Sequence, residues 1–377
     1  MTSQNIRPRA REIGINIGVL PPGSLNSITD IPGIKVGHVS LIEGEGKLVP
    51  GKGPIRTGVT AIVPHGGNIF TEKVCAAVYL INAFGKSAGL LQVMELGNIE
   101  TPIMLTNTLS VWTVADVLVD YMSEQNPGVY SINPIVGECN DSALNDILGR
   151  HVKREHVLQA LRNASETNVE EGNVGAGVGM TGFEWKGGIG TASRLLPGDL
   201  GDFALGALVL TNTGWAPDLR IDGIPIGNEL TPDSYSHTEG SIMIIIATSA
   251  PLSARQLGRV AKRAAFGLAR TGATASHDSG DIVIAFSTGN LISPSGKQSA
   301  SPDEFVPELQ LSFFFRAAIE ATEEAIINSL LRSETMVGRD GITRIGIPIE
   351  LVIAIMAKYR RNPRNQQLKK NNTFEKP

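Results

Sequence analysis

Five stretches of strand length are apolar almost from end to end: GVTAIVP (58–64), PIMLT (102–106), GALVLTN (206–212), IMIIIAT (242–248) and DIVIAFST (281–288). Apolar character without alternation predicts strands covered on both faces. Between them the periodicity becomes helical. Residues 110–125 begin at Ser110, a good cap, and end before Pro127-Gly128, while 155–164 repeat apolar residues at helical intervals. Ser253, just after Pro251, is placed to cap a helix whose Leu257, Val260, Ala261, Ala264, Ala265 and Leu268 form one stripe, closed by Gly272. A last helix is expected within 307–333, with Phe314, Ile319, Ala321, Ile326, Ile327 and Leu330 as its apolar positions.

No linker or internal repeat divides the chain between Gly14 and Pro348, so 1–377 reads as a single α/β domain with helices packed on sheets. The long polar interval 215–240, which contains DGIPIG, predicts an exposed loop joining two core strands, where a cut in the chain is tolerated. The stretch 360–377 is basic and nearly without apolar residues, the composition of a flexible tail.

Composition then narrows the function. The 377 residues are 42% hydrophobic and 19% charged, enough apolar material for a large core. A formal charge of −4 provides no broad basic surface for nucleic acid or anionic membrane. No apolar run approaches the ~20 residues of a membrane span. A cytoplasmic enzyme acting on a small or peptidic substrate is the expectation. Cys75 and Cys139 sit in no metal-ligand or redox spacing and read as structural.

Three local patterns carry candidate chemistry. GKSAG (85–89) fits a GxSxG nucleophile elbow at Ser87, which requires a strand before it, a helix after it and a partner among His151, His156, His237 and His277. GNVGAGVGM (172–180) places Gly175, Gly177 and Gly179 at every second residue, which is wrong for a dinucleotide loop and predicts close backbone approach. No metal or organic cofactor is called for by any motif.

The third pattern is the abrupt join at Gly240-Ser241, where polar DSYSHTEG gives way to the apolar run 242–248. Gly240 lets the peptide before Ser241 take a strained geometry that a side chain would resist. Attack by the Ser241 hydroxyl on that carbonyl would cut the chain and leave serine at a new amino terminus. An α-amine with a pKa near ~7.7–8.0 can then serve as the base for its own hydroxyl. The bland alternative is a serine that opens an edge strand.

Here the residues resemble a known family, the self-processing aminopeptidases of the DmpA type, which include β-peptidyl aminopeptidases. The resemblance runs through SITDIPGIKVGHVSL, RTGVTAIVPHGG, ELGNIETPIMLTNTLSVW, IVGECNDSALNDI, GNVGAGVGM, KGGIGTASR, VLTNTG, EGSIMIIIATSAPL and SHDSGDIVIAFST, in that order. It implies a four-layer α-β-β-α sandwich, like that of N-terminal nucleophile hydrolases but with different strand connectivity. It also implies cleavage into 1–240 and 241–377, with no cofactor and no metal, and a tetramer of processed protomers. Carried over residue by residue, it makes Ser241 the nucleophile, Ser279 and Asp281 the group that orients the nucleophile's amine, and Asn212 the oxyanion donor. Some relatives have glutamate at the acid position, and some have an aromatic residue at Asn140, which is left without a role. The implied activity is release of the amino-terminal residue from short peptides, amides or esters. The alternatives are acyl transfer on the related ornithine acetyltransferase fold, where the junction residue is threonine, a Ser87 esterase, and an unprocessed binding protein.

Overall fold

All five apolar runs are strands in the computed structural model, which describes residues 7–233 and 240–361. The strands are β1 (Lys35–Glu43), β2 (Ile55–Val63), β3 (Lys73–Ala83), β4 (Asn98–Ile99), β5 (Ile103–Asn107), β6 (Ile135–Cys139), β7 (Thr181–Gly182), β8 (Trp185–Lys186), β9 (Gly188–Leu195), β10 (Ala204–Asn212), β11 (Ser241–Thr248), β12 (Gly280–Ile292), β13 (Met336–Val337) and β14 (Thr343–Arg344). The helices are α1 (Leu90–Leu96), α2 (Val111–Gln125), α3 (Arg154–Asn163), α4 (Ala254–Arg270), α5 (Leu311–Arg332) and α6 (Ile349–Arg361). No helix among the described residues is long and apolar enough to cross a membrane.

Two sheets stack face to face. One has the order β1-β2-β5-β6 and the other β4-β3-β12-β11-β10-β9. Helices α2 and α3 cover the outer face of the first, and α4 and α5 that of the second. The layers are therefore helix, sheet, sheet, helix, as expected.

Parity along β11 shows how one strand serves two cores. Ile242, Ile244 and Ile246 pack with α4 and α5, whereas Met243, Ile245 and Ala247 belong to the cluster between the sheets. That is the physical meaning of the unbroken apolar run. Ser241 has the parity of Met243, so its side chain starts on the face toward the other sheet.

Three local expectations are corrected. Ser110 makes no capping bond. The turn leading into α2 is capped instead by Asn107, whose Oδ1 accepts from the N–H groups of Leu109 and Ser110 at 3.1 and 3.0 Å. The interval after β10 is not simply an exposed loop, because Leu219, Ile221 and Ile226 are fully buried beneath short 3₁₀ turns. A polar segment with a few well-spaced apolar residues can pack its own interior against the core. The basic tail begins later than expected, since α6 runs to Arg361 and Arg360 pairs with Asp222. Residues 362–377 and 234–239, including His237, lie outside the described residues.

By contrast, Ser253 caps α4 through a reciprocal box with Gln256. The alternating glycines of 172–180 do meet backbone: a Cβ on Gly177 would lie 2.7 Å from the Gly172 carbonyl oxygen, and one on Gly179 would lie 2.3 Å from that of Arg56.

Candidate active site

Three strand ends converge at one edge of the six-stranded sheet. Strands β11 and β12 are parallel and joined through α4, so both begin there, with Ser241 opposite Gly280. Strand β10 is antiparallel to β11 and finishes there, with Asn212 opposite Ser241. In the facing sheet, the parallel pair β5 and β6 also ends at this point, with Asn107 opposite Cys139. Chain ends of two parallel pairs thus face each other across one cavity of about 290 Å³, lined by Ser241, Gly240, Asn212, Thr181, Glu138, Thr108, Asn140, Ser142, Ala143, Phe84, Lys86 and Asp278.

Ser241 is only 7% exposed, yet it opens onto that cavity. The strand it opens is central, flanked by β10 and β12, and not an edge. What the position of Gly240 requires is room: a Cβ there would lie 3.0 Å from Thr213 Oγ1 and 3.2 Å from Thr213 Cα.

Asn212 has a fixed orientation. Its Oδ1 accepts from the N–H of Thr181 at 2.8 Å, which turns Nδ2 toward the Ser241 hydroxyl at 3.3 Å and the Asn140 carbonyl at 3.1 Å. Asn140 contributes its backbone oxygen there, while its side chain accepts from the N–H of Ser142.

Ser279 and Asp281 flank Gly280, the register partner of Ser241. The Ser279 hydroxyl donates to Asp281 Oδ1 at 2.7 Å, and both residues are fully buried. Burial pushes the Asp281 carboxyl up to about 6, against the opposing pull of the Ser279 hydroxyl and the Ile242 N–H. Strand β12 shifts register against β3 between Asp281 and Ile282, an irregularity of the kind that re-aims side chains beside sites.

Sequence reasoning named no carboxylate in the pocket, and the structure supplies Glu138. It accepts from the N–H of Lys86 at 2.8 Å and from the Thr108 hydroxyl, and it is buried at the cavity wall. The available signal was a charged residue inside IVGEC, a strand in which every position is buried. The next residue, Cys139, lies against Ser241, but burial and the charge of Glu138 raise its thiol well above the usual range. It is a neutral packing group, not a competing nucleophile.

Ser87 does follow a strand and precede a helix, but its hydroxyl is directed at Met243 Sδ, 3.9 Å away. Of the candidate histidines, His151 pairs with Asp146, His156 accepts from the N–H of Lys153, and His277 is exposed beside Asp278. None of these three is brought to Ser87.

A profile of peptidase family S58 matches residues 26–344. The chain belongs to peptidase family S58. This S58 chain is 43% identical over 371 residues to the β-peptidyl aminopeptidase BapA of Sphingosinicella microcystinivorans, with 94% of this chain and 93% of that protein covered. A crystal structure from Pyrococcus horikoshii OT3 matches it with a TM-score of 0.89 at 54% identity, covering 94% of this chain and 100% of that one. The L-aminopeptidase D-Ala-esterase/amidase of Ochrobactrum anthropi, described as a prototype for the serine aminopeptidases and a variant of the Ntn-hydrolase fold, matches with a TM-score of 0.87 at 35% identity. That match covers 94% of this chain and 99% of that one. The S58 enzyme is accordingly a serine-type aminopeptidase and amidase with an Ntn-hydrolase-like fold.

Proposed function

We propose that this aminopeptidase matures by cutting its own chain between Gly240 and Ser241 and then uses Ser241 both as nucleophile and, through the liberated amine, as base. The observation that carries the reading is Ser241 at the wall of the polar cavity, with the Asn212 amide 3.3 Å from its hydroxyl. In maturation the hydroxyl oxygen bonds to the Gly240 carbonyl carbon, the C–N bond breaks, and the hydroxyl proton passes to the departing nitrogen. Water then hydrolyses the ester, leaving a Gly240 carboxylate and a Ser241 amine.

In turnover the same hydroxyl attacks the carbonyl of the substrate's first residue, and the amine takes the proton and returns it to the leaving group. Asn212 donates to the oxygen that gains charge. Ser279 and Asp281 hold the amine, and a newly formed ammonium beside Asp281 favours the ionised carboxylate. Glu138 receives the substrate's ammonium, since it is the buried carboxylate of the cavity and Asp278 is the solvated one. The names of the relatives point to β-amino-acid residues at the substrate's amino end.

The assembly expected for the mature enzyme is a tetramer of processed protomers, a reading favoured by exposed Leu91, Met94 and Leu96 on the short helix α1. Light scattering checks it.

Intact mass under denaturing conditions tests the central reading. Wild type should give fragments that meet at Gly240 and Ser241, and Ser241→Ala a single uncut chain without activity. A panel of α- and β-aminoacyl p-nitroanilides then defines the substrate. Uncut wild-type protein with full aminopeptidase activity would overturn the mechanism.

A further inference from the structure

Lys186 is a fully buried lysine that no step above uses. All three of its ammonium protons go to carbonyl oxygens, those of Gly177, Met180 and Gly187 at 2.9, 2.9 and 2.6 Å. Burial lowers its pKa to about 7, against the opposing pull of Asp141 from the segment after β6, whose own carboxyl burial raises to about 7 and whose Oδ1 accepts from Asn145. Burying a cation against neutral carbonyls is costly. A role confined to bracing a turn needs only a neutral donor.

The Met180 carbonyl belongs to the same peptide group as the Thr181 N–H. One end of that group accepts from Lys186 at 2.9 Å, and the other donates to Asn212 Oδ1 at 2.8 Å. The Asn212 amide passes the effect on, since its Nδ2 faces Ser241 Oγ at 3.3 Å. Two conjugated amides therefore stand in series between an ammonium and the nucleophile. Drawing electron density toward an amide oxygen makes its N–H a better donor, by roughly 10–30% per bond in a chain of this kind.

We infer that Lys186 is a positioning residue for catalysis: acting through the Met180–Thr181 peptide group, its ammonium orients and polarises the Asn212 amide that stabilises the oxyanion. This rests on the reading of Asn212 as the oxyanion donor.

The test compares Lys186→Met, Lys186→Arg, Asn212→Ala and Lys186→Met/Asn212→Ala, using a p-nitroanilide and counting only protein that intact mass shows to be cut. Losing the donor itself is expected to lower kcat about 10²- to 10³-fold, so losing its polarisation, roughly 10–30% of that effect on a log scale, should lower kcat about 2- to 8-fold with KM nearly unchanged. Lys186→Arg, which keeps the charge, should recover most of that loss. Because the two residues act in one chain, Lys186→Met should leave kcat unchanged within error in the Asn212→Ala background. An undiminished penalty in that background, or an effect confined to KM or melting temperature, overturns the relay. Full kcat in Asn212→Ala overturns it together with the reading beneath it.

If Lys186→Met yields no cut, folded protein, Asp141→Asn decides. It keeps the lysine but removes the carboxylate that faces it, itself faced by Glu138. The ammonium, which burial already holds at about 7, should then lose its proton at lower pH, and the fall of kcat with rising pH should move down by about one pH unit. An unmoved profile overturns the proposal.

Discussion

Glu138 shows what a single carboxylate contributes when water is excluded from one side of it. Fixed by Lys86 and Thr108, it presents its remaining lone pairs to the cavity. Removing one partner of a buried ion pair costs about 3–5 kcal/mol. Glu138→Gln should therefore lower kcat/KM for substrates with a free amino terminus by at least about 10²-fold, read from Michaelis plots of cut protein. An unchanged kcat/KM would place the ammonium elsewhere. Asp281 gives a test with a sign. Its pKa of about 6 in the folded chain lies above the ~3.9 of an unfolded one, so the native state holds the extra proton between those values. Its contribution to stability is present at low pH and is lost as pH rises from about 4 to 6. In an uncut Ser241→Ala background, Asp281→Asn should raise stability at pH 8 by about 1–3 kcal/mol and change little at pH 4. Melting curves at the two pH values check this, and an equal gain at both would trace the effect to packing. Ser241 could be singled out at its abrupt junction in the sequence, and Asn212, Ser279 and Asp281 only through the family motifs they match. Glu138 and Lys186 could not, because their chemistry comes from burial and a shared peptide group, neither of which one-dimensional spacing records.

At the scale of elements, the runs that predicted strands were those with two apolar faces, β2, β5, β10, β11 and β12. Strand β9 was missed for a definite reason. Its sequence GIGTASRL is almost wholly buried yet largely polar or glycine, since Arg194 reaches Glu320 and Glu324 of α5 at 3.2 and 2.7 Å. A hydrophobicity pattern does not register a strand whose burial is satisfied by ions and hydrogen bonds. The missing side chain at Gly190 sets how closely α5 lies on that strand. A Cβ there would sit 2.0 Å from the Ala325 carbonyl oxygen and 2.7 Å from the Ser329 nitrogen. Gly190→Ala should therefore push helix from sheet and destabilise the fold by about 1–3 kcal/mol or more, measured by denaturant melts. The same substitution at Gly198, where nothing lies within 4 Å, should pass nearly unnoticed in the same assay.

For the molecule as a whole, layer order could not be read from periodicity and was an implication of the family resemblance. The reason is topological: β3 pairs with β12, some two hundred positions later, and no local pattern encodes such a partner. That pairing also bears on what a cut at Gly240-Ser241 would do. Strands β11 and β12 are inserted between β10 and β3, so the later part of the chain fills a gap in a sheet begun by the earlier part. Neither fragment would own an unbroken sheet, and parting them would strip two rows of main-chain bonds and split both cores. The nicked molecule should therefore stay locked like the halves of a zip, melting in one cooperative step. Its two pieces would be distinct only to a denaturant or a mass spectrometer.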